Sequence, residues 1–137
     1  MNNKHRVYIF RILGLLLLII QCAFVSASDL TITGLDIIPI TGNKLQIQLE
    51  MNGPATEPKV FHTDNPARIA LDFSGVKNGL NKKVFPINQG AASNIYVAEA
   101  PGRVRVVVNM MEPIPFETKV LGNKVLLTLN PAQRGSM

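Results

Sequence analysis

An all-β fold, a small antiparallel sandwich, is predicted from the patterning of this sequence. Apolar and polar residues alternate with a period of two along several segments, and turn residues recur between those segments at short intervals. No window carries a 3.6-residue apolar stripe with helix caps; the nearest, Asn78 to Lys83, is too short and too polar. Nine prolines and ten glycines, set mostly at the joints, also oppose helices.

The N-terminus reads as a helical signal peptide over residues 1–27. Lys4, His5, Arg6 and Arg11 form a basic start, Ile12 to Ile20 an apolar stretch, and Cys22 to Val25 its continuation. Val25-Ser26-Ala27 supplies the small-x-small pattern that a signal peptidase reads, which places the cut after Ala27. The apolar stretch is shorter than the ~20 residues needed to cross a bilayer, so no transmembrane segment is expected in the mature chain. An uncleaved anchor is the alternative. Gln21 before Cys22 is too large for lipoprotein cleavage, so no lipid anchor is expected. Export takes the chain out of the cytoplasm.

Residues 28–130 are expected to form one domain, with 131–137 as a polar tail or the start of a linker. The single cysteine, Cys22, leaves with the signal, so the fold cannot lean on disulfides. Lys4, Arg6 and Arg11 leave as well, lowering the formal net charge from +5 to +2. The largest basic cluster remaining is Lys82-Lys83, which does not support binding to nucleic acid by bulk charge.

The strands follow in order. Leu30 to Ile38 comes first. In the next, Leu45, Ile47, Leu49 and Met51 alternate with Lys44, Gln46, Gln48 and Glu50, as a half-buried strand should. Lys59 to Thr63 is short. Ile69, Leu71 and Phe73 alternate with Arg68, Ala70 and Asp72. Val84 to Asn88 and Ser93 to Glu99 follow. Val104, Val106, Val108 and Met110 then alternate with Arg103, Arg105, Val107 and Asn109. Phe116 to Leu121 and Val125 to Leu129 close the set, and Gly122-Asn123 between them reads as a tight hairpin. The other joints are Thr41-Gly42-Asn43, Asn52-Gly53-Pro54, Asp64-Asn65-Pro66, Ser74-Gly75 and Pro101-Gly102.

Two strands echo one another. Arg68-Ile-Ala-Leu-Asp72-Phe and Arg105-Val-Val-Val-Asn109-Met share the order Arg, β-branched, small or β-branched, aliphatic, Asp/Asn, large apolar. Side chains four apart on a strand share a face, so each strand is expected to present a guanidinium and a carboxyl or amide outward. One reading is surface Arg–Asp pairing of little consequence. The other is a quasi-symmetric sandwich with matched polar strips.

Catalytic machinery is not found. His62 is the only histidine after export, and with no cysteine it cannot make a zinc site of the usual kinds. His62, Thr63 and Asp64 are neighbours on a strand and point to opposite faces in turn, so adjacency does not make them a triad. The carboxylates show no acid–base spacing, and no Gly-rich phosphate loop is present. No catalytic residue, metal or cofactor is expected. Without Trp, and with Tyr96 the only mature tyrosine, an aromatic platform for sugars looks weak.

Asn65-Pro-Ala-Arg-Ile-Ala-Leu-Asp-Phe-Ser-Gly75 and Ile95-Tyr-Val-Ala-Glu-Ala-Pro-Gly-Arg-Val-Arg-Val-Val-Val-Asn-Met110 resemble the AMIN domain. That domain occurs in periplasmic N-acetylmuramoyl-L-alanine amidases and near the N-terminus of type IV pilus secretins. Leu30-Thr-Ile-Thr-Gly-Leu-Asp36 after a signal peptide is closer to the secretins, and the likeness covers roughly residues 30–130. The resemblance implies a sandwich that binds peptidoglycan, with a pilus secretin or other pilus assembly proteins as further partners. The family's Arg-x-x-x-Asp strand falls on Arg68 and Asp72. Its second Arg strand falls on Arg105, with Asn109 in place of the acidic residue often seen. A secretin would continue into further modules and an amidase into a zinc hydrolase, so an end at Met137 suggests a truncated secretin or a free-standing module.

On this reading Arg68 and Arg105 hold stem-peptide carboxylates in bidentate fashion, while Asp72, Asn109 and Gln89 accept hydrogen bonds from amides or sugar hydroxyls. The competing reading is a protein–protein module that accepts a partner strand on an exposed sheet edge, with no wall contact.

Overall fold

A computed structural model describes residues 29–131 as two five-stranded sheets packed face to face. The expected signal peptide with its cut at Ala27, and the tail from residue 132 onward, lie outside the described residues. The strands are β1 (Leu30–Ile40), β2 (Lys44–Met51), β3 (Lys59–Asp64), β4 (Ala67–Ser74) and β5 (Val76–Asn78). They continue with β6 (Val84–Gln89), β7 (Ala92–Ala100), β8 (Arg103–Met110), β9 (Phe116–Leu121) and β10 (Lys124–Leu129). Sheet A runs β5-β1-β2-β10-β9 and sheet B runs β3-β4-β8-β7-β6.

The period-two pattern explains which faces meet. On β2, Leu45, Ile47, Leu49 and Met51 are buried, and on β10 Val125, Leu127 and Leu129 sit directly beside Leu49, Ile47 and Leu45. Sheet B answers with Ile69, Leu71 and Phe73 from β4, Ile95 and Val97 from β7, and Val104, Val106 and Val108 from β8. These residues form one core, and its burial is the main force holding the two layers together.

The β9–β10 hairpin closes as the sequence indicates. Leu121 pairs with Lys124, leaving Gly122-Asn123 as a two-residue loop. Gly122 has φ 60°, the left-handed value that a II′ turn requires at its first central position.

One strand is not legible in the sequence. Val76–Asn78 runs parallel to Leu30–Ile32, so sheet A is not purely antiparallel. Three residues, two of them polar, are too few to show a period, and a partner so far back along the chain leaves no local trace. Lys77 Nζ and Asp29 Oδ2 meet at 2.8 Å on the surface beside this joint, an exposed pair with little effect on stability.

Just after β5, the Gly79 amide donates to the Ile32 carbonyl at 2.9 Å. A Cβ there would stand 2.8 Å from that oxygen and 2.8 Å from Thr31 Cγ2. Only glycine permits this approach. Gly79→Ala is therefore expected to lower stability by about 1–3 kcal/mol through overpacking against backbone, read as a fall in the urea midpoint.

Candidate functional site

The register of sheet B determines what its outer face presents, because residues directly opposite on paired strands share a face. One row across the sheet is Lys59, Asp72, Arg105 and Ala98. The next is Phe61, Ala70, Val107, Tyr96 and Val84. A third is Thr63, Arg68, Asn109, Asn94 and Pro86.

The middle row is apolar and open. Phe61 is 51% exposed, Tyr96 43% and Val84 50%. Ala70 and Val107 lie low between them, so the row forms a floor with a taller side chain on each side. Phe61, Pro66, Arg68, Ala70, Arg105 and Val107 enclose a shallow pocket of about 320 Å³ at the β3 end of this floor. Arg68 borders it on one side and Arg105 on the other. The two arginines stand four residues apart along the strands, which is about 13 Å at 3.3 Å per residue.

The arginines differ in their commitments. Arg105 Nη2 donates to Asp72 Oδ2 at 2.8 Å, and its guanidinium carbon lies 5.9 Å from the centre of the Phe61 ring. Arg103 Nη1 is 3.7 Å from the same carboxylate oxygen. Arg68 forms no ion pair among the described residues, so its fork is available to an incoming anion.

Asp72 occupies the outer face but is covered, being only 8% exposed. The Arg105 hydrogen bond outweighs burial and holds its carboxyl below the ordinary value of 3.8, with the charges of Arg105, Arg103 and Lys59 adding to the effect. A carboxylate whose pKa falls on folding stabilises the fold above its unfolded value, and this contribution is lost as pH falls through the folded value. Thermal stability is accordingly expected to drop on acidification below about pH 4. Part of that drop should disappear in Asp72→Asn, and melting curves of both proteins across that range provide the check.

Asp72 is thus committed to its arginine neighbours and orients Arg105. Its Oδ2 serves two arginines, and its Oδ1 is buried without a hydrogen-bond partner among the described residues. Asn109 donates from Nδ2 to Asn94 Oδ1 at 2.6 Å, which leaves its own carbonyl oxygen for another donor.

The echoed strands β4 and β8 are antiparallel neighbours in one sheet, so Asp72 faces Arg105 and Arg68 faces Asn109. The repeated Arg-x-x-x-Asp/Asn spacing is what matches each guanidinium with a polar partner across the ladder.

Gln89 is not brought to this face. It ends edge strand β6 and lines a cleft of about 750 Å³ at one end of the sandwich, between the β1–β2 and β6–β7 turns. The cleft has an apolar floor of Leu45, Ala92, Ile114 and Leu129, with Lys44 and Glu112 among its lining residues. It has one side chain of each charge, whereas the face of sheet B sets two guanidinium groups around one floor.

Phe61 and Tyr96 are the residues that sequence reasoning undervalued. Each sits on an alternating strand, and only the pairing of β3 with β4 and β7 with β8 reveals that they share a row. His62 points to the other side of β3, where its ring meets Phe116 edge-on at 5.8 Å.

Such a face can hold a carboxylate on Arg68 and lay an aliphatic or sugar surface over the floor. Among the described residues no group of His, Cys, Asp and Glu is arranged to hold a metal ion.

Comparison with known proteins agrees with the architecture. The AMIN domain family model matches residues 34–129. The fimbrial assembly protein PilQ of Pseudomonas aeruginosa is 30% identical over 102 residues, which are 74% of this chain and 14% of that protein. The type IV pilus biogenesis and competence protein PilQ of Neisseria gonorrhoeae is 30% identical over 114 residues, 83% of this chain and 16% of the relative. Its namesake in Neisseria meningitidis is also 30% identical over 114 residues, with 15% of its length covered. This chain thus spans about one-seventh of the length of these relatives, and with the family's pattern running through nearly every strand of both sheets it belongs to the AMIN domain family.

Proposed function

We propose that this chain is a non-catalytic periplasmic module that binds peptidoglycan on the outer face of sheet B and so localises a type IV pilus secretin assembly to the cell wall. Membership of the AMIN family supports wall binding, and the relatives named for pilus assembly support the setting. One observation carries the choice of face. An uncompensated guanidinium, Arg68, borders an exposed apolar floor that ends in Phe61 and Tyr96. Stem peptides bring carboxylates and methyl groups and glycan strands bring pyranose faces, and this arrangement suits that mixture.

The test is co-sedimentation of the purified chain with wall sacculi. The chain is expected to pellet at low salt and less so as ionic strength screens the guanidinium contacts. Sacculi incubated with it should release no soluble fragments. A chain that stays in the supernatant at low salt overturns the reading.

A further inference from the structure

The four sheet edges are not equivalent. β5 is three residues long, and β6 carries Pro86 and an irregularity between Pro86 and Gln89, so neither offers a regular ladder. β9 is different. Its six residues, Phe116-Glu-Thr-Lys-Val-Leu121, contain no proline, and they pair with β10 without a bulge. Among the described residues one side of its backbone is thus left open along its whole length, with Val120 37% and Leu121 58% exposed on the strand.

From the order of side chains on this edge we infer that β9 pairs antiparallel with β9 of a second copy, joining two sheets A into one ten-stranded sheet. The pairing with β10 puts Phe116, Thr118 and Val120 on the core side, opposite Leu129, Leu127 and Val125. Glu117 and Lys119 share the outer side. In an antiparallel pair centred on Thr118, Glu117 falls opposite Lys119 of the second copy, and the two-fold axis repeats the contact. On the core side Phe116 falls opposite Val120 of the second copy, and Thr118 meets itself. Opposite charges, an aromatic with a β-branched residue, and threonine with threonine are the cross-strand pairs that stabilise sheets.

The same charges discourage unrelated strands. A lysine on an open edge normally blunts pairing, because a foreign strand leaves it unmatched. Only a partner with glutamate two residues before lysine satisfies both, and this chain is such a partner. β3 lies on the same flank, since His62 touches Phe116, but it lacks this match. Pairing β3 with itself about Phe61 sets Lys59 opposite Thr63. An isologous contact of this kind closes at two copies.

Sedimentation equilibrium of the purified chain over a range of concentrations tests the inference. A dimer is expected, and Lys119→Glu should weaken it about tenfold or more, because two attractive contacts become two repulsive ones. Glu117→Lys should do the same. The double exchange Glu117→Lys with Lys119→Glu should restore the dimer. Glu117 and Lys119 are both exposed, and circular dichroism is expected to show one fold throughout. A wild-type chain that is monomeric at every concentration overturns the inference, as does a dimer indifferent to Lys119→Glu or one that the double exchange fails to restore. Sacculus binding is measured separately and does not depend on the outcome.

Discussion

Arg68→Glu is expected to reduce affinity for sacculi by about ten- to a hundredfold while leaving the fold intact. A charge-assisted hydrogen bond contributes about 1.5–3 kcal/mol, and each 1.4 kcal/mol is tenfold in affinity. Arg68 is exposed and makes no ion pair among the described residues, so its replacement removes no internal support. Surface substitutions of this sort usually change stability by no more than about 0.5 kcal/mol. Arg68→Lys should recover only part of the binding, because an ammonium group lacks the planar fork. Pelleting assays at one low salt concentration, with melting curves as a control, read both effects. Arg105 is the less informative position. Its guanidinium also closes over Asp72, so Arg105→Glu would mix lost binding with lost stability.

The largest effect on stability is expected from Phe73→Ala. Phe73 is the bulkiest of the fully buried side chains, 1% exposed near the end of β4, and it pairs with Val104 on β8. Truncating a buried phenylalanine to alanine costs about 3–5 kcal/mol, since the transfer energy is lost and a cavity remains. A domain of this size has a total stability of about 5–15 kcal/mol, so the melting temperature should fall by about 12 °C or more. Val60→Ala on edge strand β3 provides the contrast. Val60 is 37% exposed, and its loss should cost under about 1 kcal/mol by calorimetry.

Much of the architecture was legible because it is written in a period of two. Leu45 to Met51, Arg103 to Met110 and Val125 to Leu129 each announce a strand and its buried face, and the structure buries those side chains. The Gly122-Asn123 hairpin could be read from two adjacent residues. What stayed hidden was pairing between distant strands. Alternation says that Arg68 and Asp72 share a face, but not that β8 lies beside β4 with Arg105 opposite Asp72. That single neighbour makes Asp72 a buried group that aligns an arginine.

The candidate site shows the same boundary. Arg68, Arg105, Asp72 and Asn109 stand out as polar residues on otherwise apolar strands, and all four reach one face. Gln89 has suitable chemistry but lies at the end of β6, where it lines the cleft at the end of the molecule. Phe61 and Tyr96 do not stand out in the sequence because single aromatic residues carry no spacing signal. Their shared row arises only once five strands are laid side by side.

The face of sheet B is tested most directly by titrating the isotope-labelled chain with soluble peptidoglycan fragments and following its backbone amide resonances. Shifts should concentrate at Phe61, Arg68, Ala70, Tyr96 and Val107 while the end cleft stays unchanged. Shifts centred on Ile40, Gly90 and Ile114, with Arg68 and Tyr96 unmoved, would contradict the assignment.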